Sequence, residues 1–206
     1  MLKIVRLVTF LITIQLFSAG CSLNPNTKYN IEAANINAKL GIAYLQQNRT
    51  DIAKNKLLLA LKQAPNDAKV HDSLGYFFAH TGEPTLAEKH YLYALKYANE
   101  KGIVWQSYGD FLYQQNRYKE ALKYFLLATK DVNYLYVARA YACASDAALK
   151  LKQNNLSRRY HQEALLHDPY IVSTTPKILP RNPAINSAQP ENQRVMANTD
   201  EFMTGF

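Results

Sequence analysis

The sequence predicts an all-α solenoid of stacked helix-turn-helix repeats, on three observations. Gly41, Gly75 and Gly109 recur at intervals of 34 residues. Alanines return with the same period, at Ala53, Ala87 and Ala121 and again at Ala60, Ala94 and Ala128. The three matching units, residues 34–67, 68–101 and 102–135, follow one another without an insertion. A fixed period of this length is typical of helix pairs that stack into an array.

The residue types within each unit fit close packing between two helices. Glycine and alanine let two helix backbones approach closely, and an aromatic side chain fills the space that remains against the next unit. One helix pair cannot bury its apolar face alone, so neighbouring units must stack. An ordinary helical bundle with accidental spacing is the alternative interpretation.

The repeated residues resemble the tetratricopeptide repeat. Its pattern has a bulky residue, a glycine and an aromatic on the first helix, and alanine, an aromatic, alanine and proline on the second. The first unit supplies Leu40, Gly41, Tyr44, Ala53, Leu57, Ala60 and Pro65. The second supplies Leu74, Gly75, Phe78, Ala87, Tyr91 and Ala94, and the third Trp105, Tyr108, Gly109, Leu112, Ala121, Phe125 and Ala128. The resemblance implies a tetratricopeptide-repeat solenoid that binds other proteins.

A fourth unit matches only after a register slip of two residues. Its pattern residues are Ser145 in place of the glycine, then Ser157, His161, Ala164, Leu165 and Asp168-Pro169. The slip predicts either a longer helix from about residue 134 to 153 or a longer turn before that helix. Terminal repeats are often atypical because their outer face contacts water. We therefore predict three regular repeats and one degenerate repeat over residues 32–169.

The amino terminus has the parts of an export signal. Lys3 and Arg6 flank the start of a short apolar run over residues 7–17, and small residues follow. The run is shorter than the roughly 20 apolar residues that a membrane-spanning helix needs. We therefore expect residues 1–20 to be a signal peptide.

The end of this signal, Ala19-Gly20-Cys21, resembles the bacterial lipobox, in which cleavage precedes a cysteine that carries lipid. Ser18 departs from the aliphatic residue that is usual in this motif. The resemblance implies acylation of Cys21 and a lipidated tether over residues 21–31. Simple secretion and an uncleaved anchor are the alternatives. Ser22 lacks the carboxylate of an inner-membrane retention signal, which favours the periplasmic face of the outer membrane.

Charge argues against a nucleic-acid partner. The formal net charge is +8, and it falls to +6 once Lys3 and Arg6 are removed with the signal peptide. The basic residues are scattered over the second helices, whereas a nucleic-acid site needs a clustered stripe. A solvated basic face is the main interpretation, and contact with acidic partners or anionic lipid is the alternative.

A Pro- and Asn-rich tail is predicted after the repeats, over residues 170–206. Its prolines are Pro176, Pro180, Pro183 and Pro190, and polar residues dominate from Asn182 onward. Without periodic apolar residues, this segment cannot bury enough surface to offset its ordering entropy. We expect residues 172–206 to be largely disordered.

Motifs for catalysis or metal binding are missing from the sequence. There is no Gly-rich phosphate loop, no paired-cysteine zinc motif and no Gly-x-Ser-x-Gly elbow. Residues 71–73 have the residue types of a catalytic triad, namely His71, Asp72 and Ser73. Side chains at adjacent helix positions point in different directions, however, and cannot form such a triad. Cys143 lies in an alanine-rich stretch and is expected to be a small buried residue. The sequence predicts no enzyme, no metal, no small-molecule substrate and no cofactor beyond covalent lipid on Cys21.

Recurring positions on the first helices of tetratricopeptide arrays line a concave groove. The resemblance places the following candidate contact residues there: Ile42, Leu45, Tyr76, Ala79, His80, Gln106, Asp110 and Tyr113. The first four form an apolar strip that suits an amphipathic partner helix. Alternatively, Leu45 and Ala79 pack between helices, or the tether covers the strip. A carboxylate clamp is not expected, because the positions that would bind a terminal carboxylate hold Ala38, Ile42, Asp72 and Tyr76.

The export signal, lipobox and consecutive repeats together resemble the PilF/PilW family of type IV pilus biogenesis and stability lipoproteins. Residues 37–45, 57–67, 71–76 and 116–121 carry the resemblance, which covers roughly residues 7–169. It implies an outer-membrane pilotin that binds the secretin subunit and helps it to localise and assemble. Family members usually continue into further repeats where this chain has its tail.

Two other classes of protein fit the sequence. A general periplasmic adaptor lipoprotein, which recruits a peptidase or an envelope-assembly machine, shares every feature except the pilus partner. An enzyme would need an unrecognised site formed by polar residues of the tail or groove. The expected partner is therefore a secretin subunit or another envelope protein, bound through the groove.

Overall fold

The structure, a computed structural model, describes residues 30–171, and the regular elements in that part are all helices. Its helices are α1 (Ile31–Gln46), α2 (Thr50–Gln63), α3 (Ala68–Thr81), α4 (Pro84–Tyr97), α5 (Gly102–Gln114), α6 (Tyr118–Ala128), α7 (Val137–Lys150) and α8 (Asn154–His167). The predicted signal peptide, Cys21, most of the tether and residues 172–206 lie outside the described residues. None of the described helices is long and apolar enough to cross a membrane.

The helices form four consecutive pairs, α1–α2, α3–α4, α5–α6 and α7–α8, which correspond to the predicted repeats. The most extensive contacts lie within each pair. Each second helix also contacts the first helix of the next pair, and consecutive first helices contact one another. The predicted all-α tetratricopeptide-repeat solenoid is thus confirmed.

Glycine is needed where the helices of a pair approach each other. A β-carbon at Gly109 would lie 2.6 Å from Cε1 of Phe125, and one at Gly75 would lie 2.9 Å from the Tyr91 ring. Phe125 and Tyr91 are buried, with exposures of 0% and 1%. Because these rings occupy the space of the missing β-carbon, glycine recurs at this position of the repeat.

Side chains of the second and third pairs join neighbouring repeats. The Tyr91 ring centroid lies 5.7 Å from that of Tyr108 and 5.4 Å from that of Phe111. Beside them, Glu88 accepts hydrogen bonds of 2.7 Å from the Tyr108 hydroxyl and from Arg117. Aromatic pairs of this kind contribute about 0.5–1.5 kcal/mol beyond their buried area. The contacts therefore stabilise the stacking that a single helix pair cannot achieve alone.

The register slip is visible in the backbone. The turn after each first helix contains one residue with a positive φ angle. These residues are Asn48 (59°), Gly82 (84°), Asn116 (61°) and Lys152 (61°). The first three are 34 residues apart, whereas the last follows after 36 residues. The fourth pair is therefore the same unit with two residues added before it.

The added residues lie in the connection before α7, which spans residues 129–136. Of the two predicted possibilities, the longer turn is correct, because α7 begins at Val137. Asp131 fastens this connection to the start of α5, since its carboxylate accepts hydrogen bonds from the backbone N–H of Gly102 at 2.6 Å and of Asn133 at 3.0 Å. Tyr136, 60% exposed, is thereby held beside the first helix of the third pair.

The first helices form the inner layer of the array. α1 contacts α3, α3 contacts α5 and α5 contacts α7, whereas contacts of comparable extent do not join consecutive second helices within residues 30–171. In a curved stack of helix pairs, the layer whose members touch one another lies on the concave side. α1, α3, α5 and α7 therefore line the groove.

Candidate protein-binding groove

The predicted groove residues do not all reach the surface. Ile42, Tyr76, Ala79, Asp110 and Tyr113 are partly exposed. Leu45 is 0% exposed and Gln106 is 5% exposed, so both are corrected from contact residues to packing residues. His80 is also 5% exposed and is likewise corrected to a packing residue. The apolar strip predicted from Ile42, Leu45, Tyr76 and Ala79 therefore loses its Leu45 member to the core.

The burial of Leu45 gives a direct test of its role. We expect Leu45→Ala to lower the free energy of unfolding by about 2–5 kcal/mol, because it removes buried methyl groups and leaves a cavity. Ile42→Ala, one turn away and partly exposed, is the matched control and should cost less than about 1 kcal/mol. Urea denaturation followed by circular dichroism measures both. Equal losses for the two variants would contradict the placement of Leu45.

Gln106 holds a buried polar network together. Its Nε2 donates a 2.9 Å hydrogen bond to Asp110 and a 3.4 Å hydrogen bond to Sγ of Cys143, and its Oε1 accepts from the Tyr134 hydroxyl at 3.3 Å. Arg139 on α7 also donates to Asp110 at 2.9 Å. Burial raises the pKa of the Asp110 carboxyl to about 6, although the Arg139 and Gln106 contacts oppose this change. The network fixes Asp110 against α7 at the floor of the groove.

Asp72 is the second carboxyl of the groove, on α3. Its Oδ1 is buried and accepts no hydrogen bond from any described residue. Burial raises the pKa of this carboxyl to about 7; a hydrogen bond with Ser107 lowers the pKa, and the charge of Asp110 raises it. Asp72 therefore remains a poorly solvated acid that gains most from an additional hydrogen-bond donor.

Two cavities lie along this part of the inner layer and share Ile103 and Tyr134. The larger, about 450 Å³, includes Asp72 and Lys69 in its lining. The smaller, about 180 Å³, includes Asp110 and Arg139. We call the surface formed by the two cavities together the α5 groove and define it by Asp72, Ile103, Ser107, Asp110, Tyr136 and Arg139.

The sequence-based groove set missed most of this surface. Ser107 and Arg139 were absent from it because the repeat pattern assigns contact roles only to particular positions in register. Tyr136 lies in the two-residue-longer connection, which no regular repeat contains. The register slip was the signal that could have indicated a different surface between the third and fourth units.

His71, Asp72 and Ser73 have separate partners. His71 is buried; its Nε2 lies 2.8 Å from the Pro65 carbonyl oxygen and its Nδ1 lies 3.0 Å from Nδ1 of His90. The Ser73 hydroxyl donates to the Lys69 carbonyl at 2.8 Å. Asp72 instead interacts with Ser107 on α5. The three side chains therefore do not form a catalytic chain of hydrogen bonds, as expected from their adjacent helical positions.

Cys143 is buried as predicted, with an exposure of 0%. Burial raises the pKa of its thiol to about 12, so the thiol stays protonated and poorly nucleophilic at neutral pH. Within residues 30–171, no cluster of three or more His, Cys, Asp or Glu side chains could hold a metal ion.

The family model for the tetratricopeptide repeat matches residues 38–102 and 82–134. The chain is a tetratricopeptide-repeat protein. Among solved structures, it is similar to Pseudomonas aeruginosa PilF, with 33% identity and a TM-score of 0.63 over 67% of this chain and 62% of that chain. The tetratricopeptide-repeat scaffold is typical of proteins that bind other proteins without catalysis.

Two more distant structures share the fold. PilW, described as a widely conserved type IV pilus biogenesis factor, has 23% identity and a TM-score of 0.62, over 66% of this chain and 62% of that chain. MamA AMB-1 has 22% identity and a TM-score of 0.51, over 70% of this chain and 79% of that chain. This tetratricopeptide-repeat protein therefore spans less than two thirds of the PilF and PilW chains. Comparison with the curated proteins gives no significant match.

Proposed function

We propose that the protein is an outer-membrane lipoprotein of type IV pilus biogenesis that acts as a pilotin. It binds the secretin subunit and helps the subunit to localise and assemble. The observation that carries this proposal is the 33% identity with P. aeruginosa PilF over 67% of the chain. PilW, a type IV pilus biogenesis factor, shares the fold.

The inner layer supports a protein-binding role. Ile42, Tyr76 and Ile103 are apolar or aromatic side chains that remain partly or largely exposed on α1, α3 and α5. A groove with apolar side chains on successive helices suits an extended or helical segment of another protein. The secretin subunit is the proposed source of that segment.

The anchor is proposed from the sequence. Ala19-Gly20-Cys21 provides the cleavage and acylation site, and Ser22 favours the outer membrane over inner-membrane retention. A lipid anchor confines both protein and partner to one membrane surface, which raises their effective concentration. In the proposed role, acylated Cys21 therefore promotes secretin capture without contacting the secretin.

A general periplasmic adaptor lipoprotein is the second candidate. The chain covers only 62% of the PilF chain, so partner contacts made by the remainder of PilF have no counterpart in the aligned region. Such an adaptor would use the same groove and anchor for a peptidase or an envelope-assembly protein.

Crosslinking in cells, followed by purification of the full chain and identification of captured proteins, tests this function. We expect the secretin subunit to be captured, and Cys21→Ser to reduce its recovery by about tenfold through loss of membrane confinement. Asp51→Asn, at the exposed start of α2 and outside the lipobox, is the control and should retain capture. Capture of peptidases or barrel-assembly proteins in place of a secretin would favour the adaptor. Equal secretin recovery with Cys21→Ser would contradict the role of the anchor.

A further inference from the structure

Three buried polar atoms have no hydrogen-bond partner among the described residues, and all belong to inner-layer helices. They are Oδ1 of Asn35 on α1, and Oδ1 of Asp72 and Nδ1 of His80 on α3. A buried polar atom left without a partner costs about 1–3 kcal/mol. Within residues 30–171, the second helices contribute none of these atoms.

The Asp72 carboxyl indicates which chemical group of a ligand would fit this part of the groove. An ionised carboxylate only accepts hydrogen bonds, so the Oδ1 atom requires a donor. Arg139 is engaged by Asp110 at 2.9 Å, and Asp72 has no ion pair among residues 30–171. Lys69, which lines the same cavity, is exposed to solvent. A positively charged donor beside the partly exposed Asp72 side chain would stabilise its carboxylate and offset the repulsion between Asp72 and Asp110.

Exposed apolar side chains lie on the same surface as this carboxyl. Ile103 is 58% exposed and lines both cavities, and Tyr136 is 60% exposed beside it. Leu135, which precedes Tyr136 in the long connection, is 87% exposed. A ligand that fills this surface must therefore combine a cationic donor with neighbouring aliphatic or aromatic groups.

We propose that the α5 groove binds a segment of a partner protein in which a lysine or arginine donates to Asp72 while adjacent apolar residues cover Ile103 and Tyr136. This inference rests on the proposed function and specifies the partner segment. Arg139 is already paired with Asp110, so the unpaired carboxyl of Asp72 disfavours an acidic residue at this point of the groove. The basic net charge of the whole chain, +8, therefore does not describe its binding surface.

Selection from a random peptide library displayed on phage tests the proposal with the purified full chain as bait. We expect enriched peptides to contain Lys or Arg within three positions of an aliphatic or aromatic residue. Fluorescence anisotropy of one enriched peptide should give an affinity about 10- to 100-fold lower for Asp72→Asn, because a charge-assisted hydrogen bond is lost. Replacing the cation of that peptide with glutamine should give a similar loss, and the two losses should not add.

Matched variants separate the groove from general charge effects. Asp51→Asn removes one carboxylate from the exposed start of α2 and should leave peptide affinity unchanged. Ile103→Ala, at an exposed apolar position, should weaken binding by about 5- to 10-fold through lost apolar contact. Circular dichroism verifies that each variant folds. Failure to enrich any peptide, enrichment of peptides without a cation, or equal affinity of Asp72→Asn would overturn the proposal.

The outcome is independent of the pilus role, because the library contains no secretin. If cells yield a captured secretin but the library yields no cationic peptides, the proposed function stands and the proposed segment chemistry fails. If cationic peptides bind through Asp72 while no secretin is captured, the groove chemistry stands and the pilotin role fails.

Discussion

Gly109→Leu is expected to lower the free energy of unfolding by about 3 kcal/mol or more. Even a β-carbon at this position would lie 2.6 Å from Cε1 of Phe125, a side chain that is 0% exposed. The longer leucine side chain must therefore separate α5 from α6. Since each repeat is stabilised by contacts with its neighbours, separation in the third repeat also weakens the second and fourth.

Urea denaturation followed by Trp105 fluorescence measures this effect. Trp105 is the only tryptophan of the chain and lies on α5, so its emission reports the third repeat directly. Lys123→Leu places the same side chain on an exposed position of α6 and should change stability by less than about 0.5 kcal/mol. An unfolding midpoint for Gly109→Leu that equals that of Lys123→Leu would refute close approach of the two helices.

The repeat could be predicted from sequence because each of its defining contacts recurs locally. Gly109 meets Phe125 within one helix pair, as Gly75 meets Tyr91 in the preceding pair. The same geometry produces the same residue types every 34 residues, so the pattern accumulates over the chain. The register slip was also readable, since Ala164 returns 36 residues after Ala128 and both are buried.

The exposure of individual groove residues could not be read from the repeat. Leu45 and Ile42 are both apolar and one turn apart, yet Leu45 is fully buried and Ile42 is partly exposed. Sequence period identifies the helix, but the angle at which successive pairs stack decides which apolar position meets a neighbour. The same limitation concealed Tyr136, whose position depends on the fastening of the long connection to α5 by Asp131.

Asp72 connects the stability of the array with its proposed binding role. A carboxyl that is buried without a full set of partners destabilises the free protein, and a bound donor would recover that cost. Residues that serve binding are often unfavourable for stability in this way. Substitution of Asp72 should therefore have opposite effects on the two properties.

Asp72→Asn is expected to stabilise the folded protein at pH 8 by about 1–3 kcal/mol and to leave its stability nearly unchanged at pH 4. Burial raises the pKa of Asp72 from 3.8 to about 7, so the folded state holds this proton more tightly than the unfolded state does. The stability that the protonated Asp72 carboxyl contributes is present below about pH 4 and is lost as the pH rises through about 7. Asparagine cannot ionise and avoids this loss.

Urea denaturation at pH values from 4 to 8 measures the difference between the wild type and Asp72→Asn, with Asp51→Asn as the exposed control. The groups that interact with Asp72 are Ser107 and Asp110 on α5 and Tyr91 on α4. Asp110, whose pKa is about 6, also lowers the stability of the folded protein as the pH rises through this range. Asp72→Asn removes a negative charge near Asp110 and should therefore reduce this decrease as well. The full pKa shift of Asp72 sets an upper limit of about 4 kcal/mol on the stability difference between the wild type and Asp72→Asn. Solvent at the groove lowers this value. A stability difference that is constant with pH would mean that Asp72 is well solvated, and it would remove the physical basis for a cationic partner at this site.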